Sequence, residues 1–350
     1  MKKKFDLKAI VRPHIEAIKP YSSARDEYTG KEGVFLDANE NPNGSVSGGA
    51  YNRYPDPLQR RLKELLGDIK QVSDEQIFFG NGSDEAIDLL FRAFTVPSKD
   101  NIIIMPPTYG MYEVSASIND VAIKRVPLLT GFQLDVKGIL NAVDDNTKII
   151  FICHPNNPTG NLMQQQDIVH ILDQFNGLVV VDEAYMDFAE AESTISLLSD
   201  YPNLVVLQTF SKAWGLAALR LGIAYADTPI ISILNKIKPP YNISLHTQET
   251  AERALEMVSE KEAMVKKINE QRDRVKQALQ ALPIVKTIYP SDANFLLVQV
   301  DDAKSIYDYL LEKKIIVRDR SKVMLCEGCL RISIGTEEEN GLLLNALGAL

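Results

Sequence analysis

Leu204-Val205-Val206-Leu207-Gln208-Thr209-Phe210-Ser211-Lys212-Ala213-Trp214-Gly215-Leu216-Ala217-Ala218-Leu219-Arg220-Leu221-Gly222 runs from four branched apolar residues straight into hydroxyls, a lysine and an arginine. Leu204–Leu207 is short and apolar and reads as a buried strand, so Lys212 sits just past a strand end. A lysine among small and apolar neighbours loses charge by desolvation and becomes an amine nucleophile toward a carbonyl. Thr209 and Ser211 add hydroxyls and Arg220 a permanent planar cation, a donor set that suits a phosphate. Ser-Lys alone is a common, usually solvated pair. Its meaning therefore depends on what the rest of the chain brings to the same place.

Working outward, one unit recurs: apolar strand, polar loop, amphipathic helix. Ile77-Phe78-Phe79 runs into Gly80-Asn81-Gly82-Ser83 and a helix opening with Asp84-Glu85. Ile102–Ile104 ends at Pro106-Pro107-Thr108-Tyr109, Ile149–Ile152 at His154-Pro155-Asn156-Asn157, and Leu178–Val181 at Asp182-Glu183-Ala184-Tyr185. Such alternation predicts an α/β fold, a mostly parallel sheet with helices on both faces, whose ligands bind beyond the carboxyl ends of the strands. Earlier, Val34-Phe35-Leu36 reads as a brief strand leading into the turn-rich Asp37–Gly44, and Pro57 as the first residue of a helix carrying Leu58, Leu62, Leu65, Leu66 and Ile69. Later, a charged segment from about Gln248 to Leu282 reads as one long helix. Strands at Phe295–Val300, Ile315–Val317 and Leu330–Ile334 and a helix from Glu337 follow, a smaller α+β region. The expected division is an N-terminal arm over 1–33, a large domain over 34–245 and a small domain over 246–350.

A chain of 350 residues supports two domains, and 45% apolar composition is ordinary for a globular protein. With 38 basic against 47 acidic residues the net charge is −9, which argues against nucleic-acid or anionic-membrane partners. Met1-Lys2-Lys3-Lys4 is followed by no apolar core and no run approaches transmembrane length, so a soluble cytoplasmic protein is expected. Three cysteines make no disulfide framework. Cys326-Glu327-Gly328-Cys329 lacks a second pair or a histidine cluster and is read as incidental thiols, with no metal site.

A pyridoxal cofactor needs an amine to hold it, an acid at its ring nitrogen, partners for its phenolic oxygen, a flat group on its face and an anion site for its phosphate. Lys212 is the amine. Asp182 follows four apolar residues, where a carboxylate needs a cation, and a protonated pyridine nitrogen is one; a helix cap or a core ion pair is the alternative. Tyr185 and Asn157 suit the phenolic oxygen, Tyr109 the ring face, and Gly82-Ser83-Asp84 opens a helix whose N–H groups favour phosphate. Neither nucleotide-binding glycine pattern is present.

These segments together resemble the fold-type I pyridoxal-phosphate aminotransferases, and within them the histidinol-phosphate aminotransferases. The likeness is carried by LDANENP at Leu36–Pro42, RYPDP at Arg53–Pro57, GNGSDE at Gly80–Glu85, PPTYGMY at Pro106–Tyr112, HPNNPTG at His154–Gly160, VDEAY at Val181–Tyr185, TFSKAWGLAALRLG at Thr209–Gly222 and LRISIG at Leu330–Gly335. The resemblance implies Lys212 as the cofactor lysine and proton shuttle, with Asp182 on the ring nitrogen. Tyr185 and Asn157 would contact the phenolic oxygen, Tyr109 the ring, and Ser83, Asp84, Thr209, Ser211 and Arg220 the phosphate. It also implies a homodimer with shared sites, in which Tyr54 reaches the cofactor phosphate of the other subunit. Arg331, Arg318, Tyr21 and Asn39 form the substrate group. The substrates implied are histidinol phosphate and glutamate or 2-oxoglutarate. An aromatic amino-acid transaminase, a decarboxylase of a phosphorylated amino acid and a non-catalytic cofactor-binding module are the rivals. His154 is read as a structural hydrogen-bonder, and Arg320 is given no role.

Overall fold

In the computed structural model, residues 5–20, 33–49 and 51–350 are described; Tyr21 lies outside them. Strands β1 (Ile77–Asn81), β2 (Asn101–Ile104), β3 (Ala122–Arg125), β4 (Thr147–Cys153), β5 (Leu178–Asp182), β6 (Leu204–Thr209) and β7 (Leu221–Ala226) form one sheet in the order β1-β7-β6-β5-β4-β2-β3. Only β7 runs against its neighbours, pairing antiparallel with β1 and β6. The expected mostly parallel sheet is therefore present, with an antiparallel strand inserted that the lysine segment itself supplies.

Alternate residues of these strands point to opposite faces, and each face has its own core. Ile150, Ile152, Val179, Val181, Val206 and Tyr225 pack with Leu62, Leu66, Ile168 and Ile171. Ile149, Phe151, Val180, Val205 and Leu207 pack with Ile87, Leu90, Tyr112 and Leu234 from helices Gly82–Phe94, Met111–Ile118 and Thr228–Ile237. Helices on both faces leave only the strand ends open.

A second sheet, β10-β11-β9-β8, joins β8 (Val285–Ile288), β9 (Phe295–Val300), β10 (Arg318–Asp319) and β11 (Cys329–Ser333), all antiparallel. One of its faces carries Leu296, Val298, Leu330 and Ile332 against Val275, Leu279, Leu310 and Leu343.

Four local expectations need correction. Val34–Leu36 forms no strand among the described residues, and Val34 and Leu36 are exposed. The predicted helix begins at Arg60 rather than Pro57, because Gln59 is left-handed (φ 50°) and Asp56 accepts the Leu58 and Arg60 amides at 3.0 and 2.8 Å. The segment read as one long helix is two, Leu245–Leu255 and Val258–Gln280. Ala251 and Leu255 of the first bury against the large sheet, Val275 and Leu279 of the second against the small one, and one straight rod cannot serve both cores. Strand pairing after Leu311 begins at Arg318, not over Ile315–Val317.

Candidate active site

The carboxyl ends of β1, β2, β4, β5 and β6 open on one cavity. Ser83, Asp84, Tyr109, Asn157, Asp182, Tyr185, Thr209, Ser211, Lys212 and Arg220, ten residues singled out in the sequence, all line it. Sheet pairing explains why they meet. Gly80 pairs with Gly222 and Thr209 with Gly222, so the start of helix Gly82–Phe94, the hydroxyl pair and Arg220 converge on one point. A Cβ on Gly222 would lie 2.0 Å from the Ser83 amide nitrogen, so only glycine lets the backbones approach this closely. Thr209 Oγ1 donates to Ser211 Oγ at 3.0 Å and accepts the Ser211 amide at 3.1 Å. Arg220, left-handed at φ 54°, turns its guanidinium to Asp84 Oδ2 at 3.4 Å, and the Tyr109 hydroxyl donates to Asp84 Oδ1 at 3.1 Å. Helix-end amides, hydroxyls and an arginine make an anion cup.

Asp182 lies on the floor, 3% exposed. Its Oδ2 accepts the Tyr112 hydroxyl at 2.8 Å and its Oδ1 the Ala184 amide at 3.1 Å. Among the described residues no cation pairs with it, so burial pushes the carboxyl up to about 6 against those hydrogen bonds. This removes the alternative of a core ion pair. A buried carboxylate that lines a cavity and has no ion-pair partner among the described residues suits a protonated ring nitrogen.

Lys212 Nζ has no hydrogen-bond or ion-pair partner among the described residues and lies 5.6 Å from the Tyr185 ring centroid. Burial first, then the Arg331 and Arg220 guanidiniums, holds its ammonium below the usual lysine range. An amine whose proton is held less tightly than an ordinary lysine's, beside an anion cup, is placed to attack an aldehyde. Tyr185 is buried, its hydroxyl pushed up chiefly by burial, so it stays a donor.

Arg331 pairs in register with Arg318, and alternation puts Arg320 on the same sheet face. Arg331 donates to Asn157 Oδ1 and lies 5.2 Å from the Phe295 ring centroid, while Phe295 meets Tyr185 edge-on at 5.1 Å. Among the described residues none of the three arginines has a carboxylate partner, and the Nε atoms of Arg320 and Arg331 are buried and unbonded. Arg318 is exposed, Arg320 and Arg331 partly buried. This cationic face, none of whose arginines has an ion-pair partner among the described residues, can receive an anionic substrate group.

Tyr54 and Asn39 are not in the Lys212 cavity. They line a separate cleft with Glu40, Arg53, Tyr241 and His246, where Tyr54 stacks on Tyr241 at 4.4 Å. Glu40 pairs with Arg53 at 2.6 Å and accepts the Tyr54 amide at 2.6 Å, which fixes that turn. His154 is buried, its Nδ1 accepts the Met163 amide at 2.9 Å, and burial lowers it to about 4: it is a neutral structural acceptor. Cys326 and Cys329 are buried free thiols. Two residues escaped the sequence reading. Tyr112 carries no local signal of its role, because its contact with Asp182 exists only once helix Met111–Ile118 docks on the sheet. Arg320 could have been found from its i, i+2 spacing to Arg318.

A buried carboxylate with no ion-pair partner among the described residues, a lysine of lowered proton affinity and a helix-end anion cup in one cavity fit pyridoxal phosphate. Comparison with known proteins agrees. The model of the family described as "Aminotransferase class I and II" matches residues 27–347. The chain is 62% identical over 343 residues to the histidinol-phosphate aminotransferase of Cytophaga hutchinsonii, covering 98% of this chain and 99% of that one. It is 50% identical over 351 residues to that of Flavobacterium johnsoniae, covering 99% of each. In fold it matches the Sinorhizobium meliloti histidinol-phosphate aminotransferase solved in complex with pyridoxal-5'-phosphate, with a TM-score of 0.79 at 24% identity over 96% of both chains. The strand-end cavity, its lysine and these likenesses lead to one assignment: the chain belongs to the aminotransferase class I and II family, in its histidinol-phosphate aminotransferase branch.

Proposed function

We propose that this protein is a pyridoxal-phosphate-dependent transaminase of histidine biosynthesis, interconverting histidinol phosphate plus 2-oxoglutarate with imidazole acetol phosphate plus glutamate. The observation that carries the reading is the Asp182 carboxylate, without an ion-pair partner among the described residues, on the floor of the cavity that Lys212 and the anion cup share. Ser83, Asp84, Thr209, Ser211 and Arg220 would hold the cofactor phosphate, Asp182 its ring nitrogen, Tyr185 and Asn157 its phenolic oxygen, and Tyr109 its ring. When bound, the cofactor supplies an electron sink conjugated to the substrate's Cα. Lys212 Nζ, its proton loosened by burial and two arginines, takes the Cα proton and returns it at the end of the transfer. Asp182 keeps a negative charge on the cavity floor, and the surrounding burial strengthens that charge's effect. Tyr185 donates from its protonated hydroxyl.

Arg331 takes the anionic end of either substrate and Arg318 adds a second cation chiefly for the phosphate, with Tyr21, which lies outside the described residues, and Asn39, which lies outside its own chain's Lys212 cavity, as further contributors. Histidinol phosphate has no α-carboxylate, so its phosphate occupies the place of glutamate's carboxylate. The region expected over 34–245 acts as the cofactor-binding domain and the region expected over 246–350 carries the arginines, with helix Leu245–Leu255 packing its Ala251 and Leu255 into the core of the first. The enzyme works as a homodimer in which Tyr54, outside its own chain's Lys212 cavity, completes the partner's site. Among the described residues no helix is long and apolar enough to cross a membrane, and we read the enzyme as cytoplasmic. The test is to incubate the purified protein with histidinol phosphate and 2-oxoglutarate and to measure glutamate. Glutamate formation is expected. Carbon dioxide release in its place, or turnover confined to aromatic amino acids, overturns the reading.

A further inference from the structure

The Asp182 carboxylate is held by one donor on each oxygen. The Ala184 amide meets Oδ1 at 3.1 Å and the Tyr112 hydroxyl meets Oδ2 at 2.8 Å. The Tyr112 ring is itself fixed: it is fully buried, stacked on Phe151 of β4 at 4.7 Å and set edge-on to Tyr109 at 5.5 Å. Its hydroxyl therefore arrives from a rigid wall. Tyr112 is not among the residues that line the cavity, so it acts on the site through Asp182.

We propose that Tyr112 is a positioning residue that aims Asp182 and keeps it ionised, so that the carboxylate meets the cofactor's ring nitrogen as an anion. This rests on the role given to Asp182 above. Burial is the chief force against that charge, and the Asp84 and Glu183 carboxylates add to it. Lys212 is the nearby cation acting the other way, while Tyr109, Tyr185 and Cys153 face Asp182 with protons held on by burial. A phenol donor pointed at one oxygen stabilises the anionic form specifically. Burial and Asp182 together push the Tyr112 phenol well above its usual range, so it remains a donor throughout the working pH range. A merely space-filling tyrosine would leave the proton affinity of Asp182 untouched, which separates the two roles.

The experiment measures the dissociation constant of pyridoxal phosphate against pH, without substrate, for the wild-type protein, Tyr112→Phe and Asp182→Asn. In the wild type affinity falls as pH drops through about 6, where Asp182 takes a proton. Loss of one charge-assisted hydrogen bond raises the proton affinity about ten- to hundredfold, so in Tyr112→Phe that break moves up by about one to two pH units. Its binding deficit is several-fold near neutrality and shrinks as pH rises. Asp182→Asn abolishes the break. A Tyr112→Phe break at the wild-type pH, or a deficit equal at every pH, overturns the proposal. A break that survives in Asp182→Asn sinks the reading of Asp182 itself, a separate failure. Should Tyr112→Phe fold poorly, a fluorinated tyrosine at 112, a stronger donor of nearly the same shape, decides the matter: it moves the break down if the proposal holds and leaves it in place if not.

Discussion

Replacing Arg331 with alanine separates the two cations of the substrate site. Arg331 is partly buried, bonded to Asn157 and 5.2 Å from the Phe295 ring centroid, with no carboxylate partner among the described residues. Removing a charge-assisted hydrogen bond from such a place costs about 1.5–3 kcal/mol, or about ten- to hundredfold in affinity. Glutamate and histidinol phosphate both bring an anion to this guanidinium, so Arg331→Ala weakens both half-reactions by that factor. Arg318 stands opposite it in register but is exposed. A solvated ion pair contributes about 0–1 kcal/mol, so Arg318→Ala costs at most about fivefold. That loss falls on the histidinol-phosphate side, whose dianion has oxygens left for a second cation, and it fades as salt is raised. Sequence alone gave the two arginines similar weight; exposure separates them. Single-turnover kinetics from each substrate, at low and high salt, reads both effects. Equal losses in the two variants, or an Arg331→Ala enzyme that keeps its glutamate half-reaction, would refute the reasoning.

Borohydride reduction of the cofactor-loaded protein should fix the cofactor at Lys212, with peptide mapping as the check; an adduct on another lysine removes Lys212 from its role. Mixing Lys212→Ala with Tyr54→Phe should restore activity above the sum of the two through heterodimers with one intact site. No gain despite demonstrated subunit exchange counts against shared sites. Lys63 is 6% exposed, and burial and the Lys238 ammonium lower it to about 8 from 10.5. The folded chain therefore carries the full penalty of a buried cation below pH 8 and sheds it as pH rises toward 10.5. Lys63→Met should thus stabilise the protein by about 3 kcal/mol at pH 7 and progressively less above pH 8 in urea titrations. A gain that does not shrink with pH would show that packing, not charge, is responsible.

Much of the site was legible because its residues stand at strand ends. Apolar runs Ile77–Phe79, Leu178–Val181 and Leu204–Leu207 can bury only as strands of a covered sheet, and the polar residues that follow must then emerge on one side. That logic alone puts Ser83, Asp182 and Lys212 at the same side of the sheet, where the structure joins them in one cavity. Local sequence also identified the anion cup, since a glycine-led helix start and a hydroxyl pair carry their own geometry. What it could not give depends on partners far along the chain. The antiparallel course of β7 is set by pairing with β1 and β6, and the break between helices Leu245–Leu255 and Val258–Gln280 by two cores that pull on one segment. Val34–Leu36 has strand composition, yet it forms no strand among the described residues, and composition alone does not decide that. The Tyr112–Asp182 bond joins residues 70 positions apart, and the exposure of Arg318 follows from where a two-residue strand meets the sheet. Periodicity and residue chemistry act over a few neighbours, so they determined the elements and what each strand end carries. Burial, register and long-range hydrogen bonds exist only after packing, so the tertiary structure alone decided which of those side chains are charged, aimed and within reach of one another.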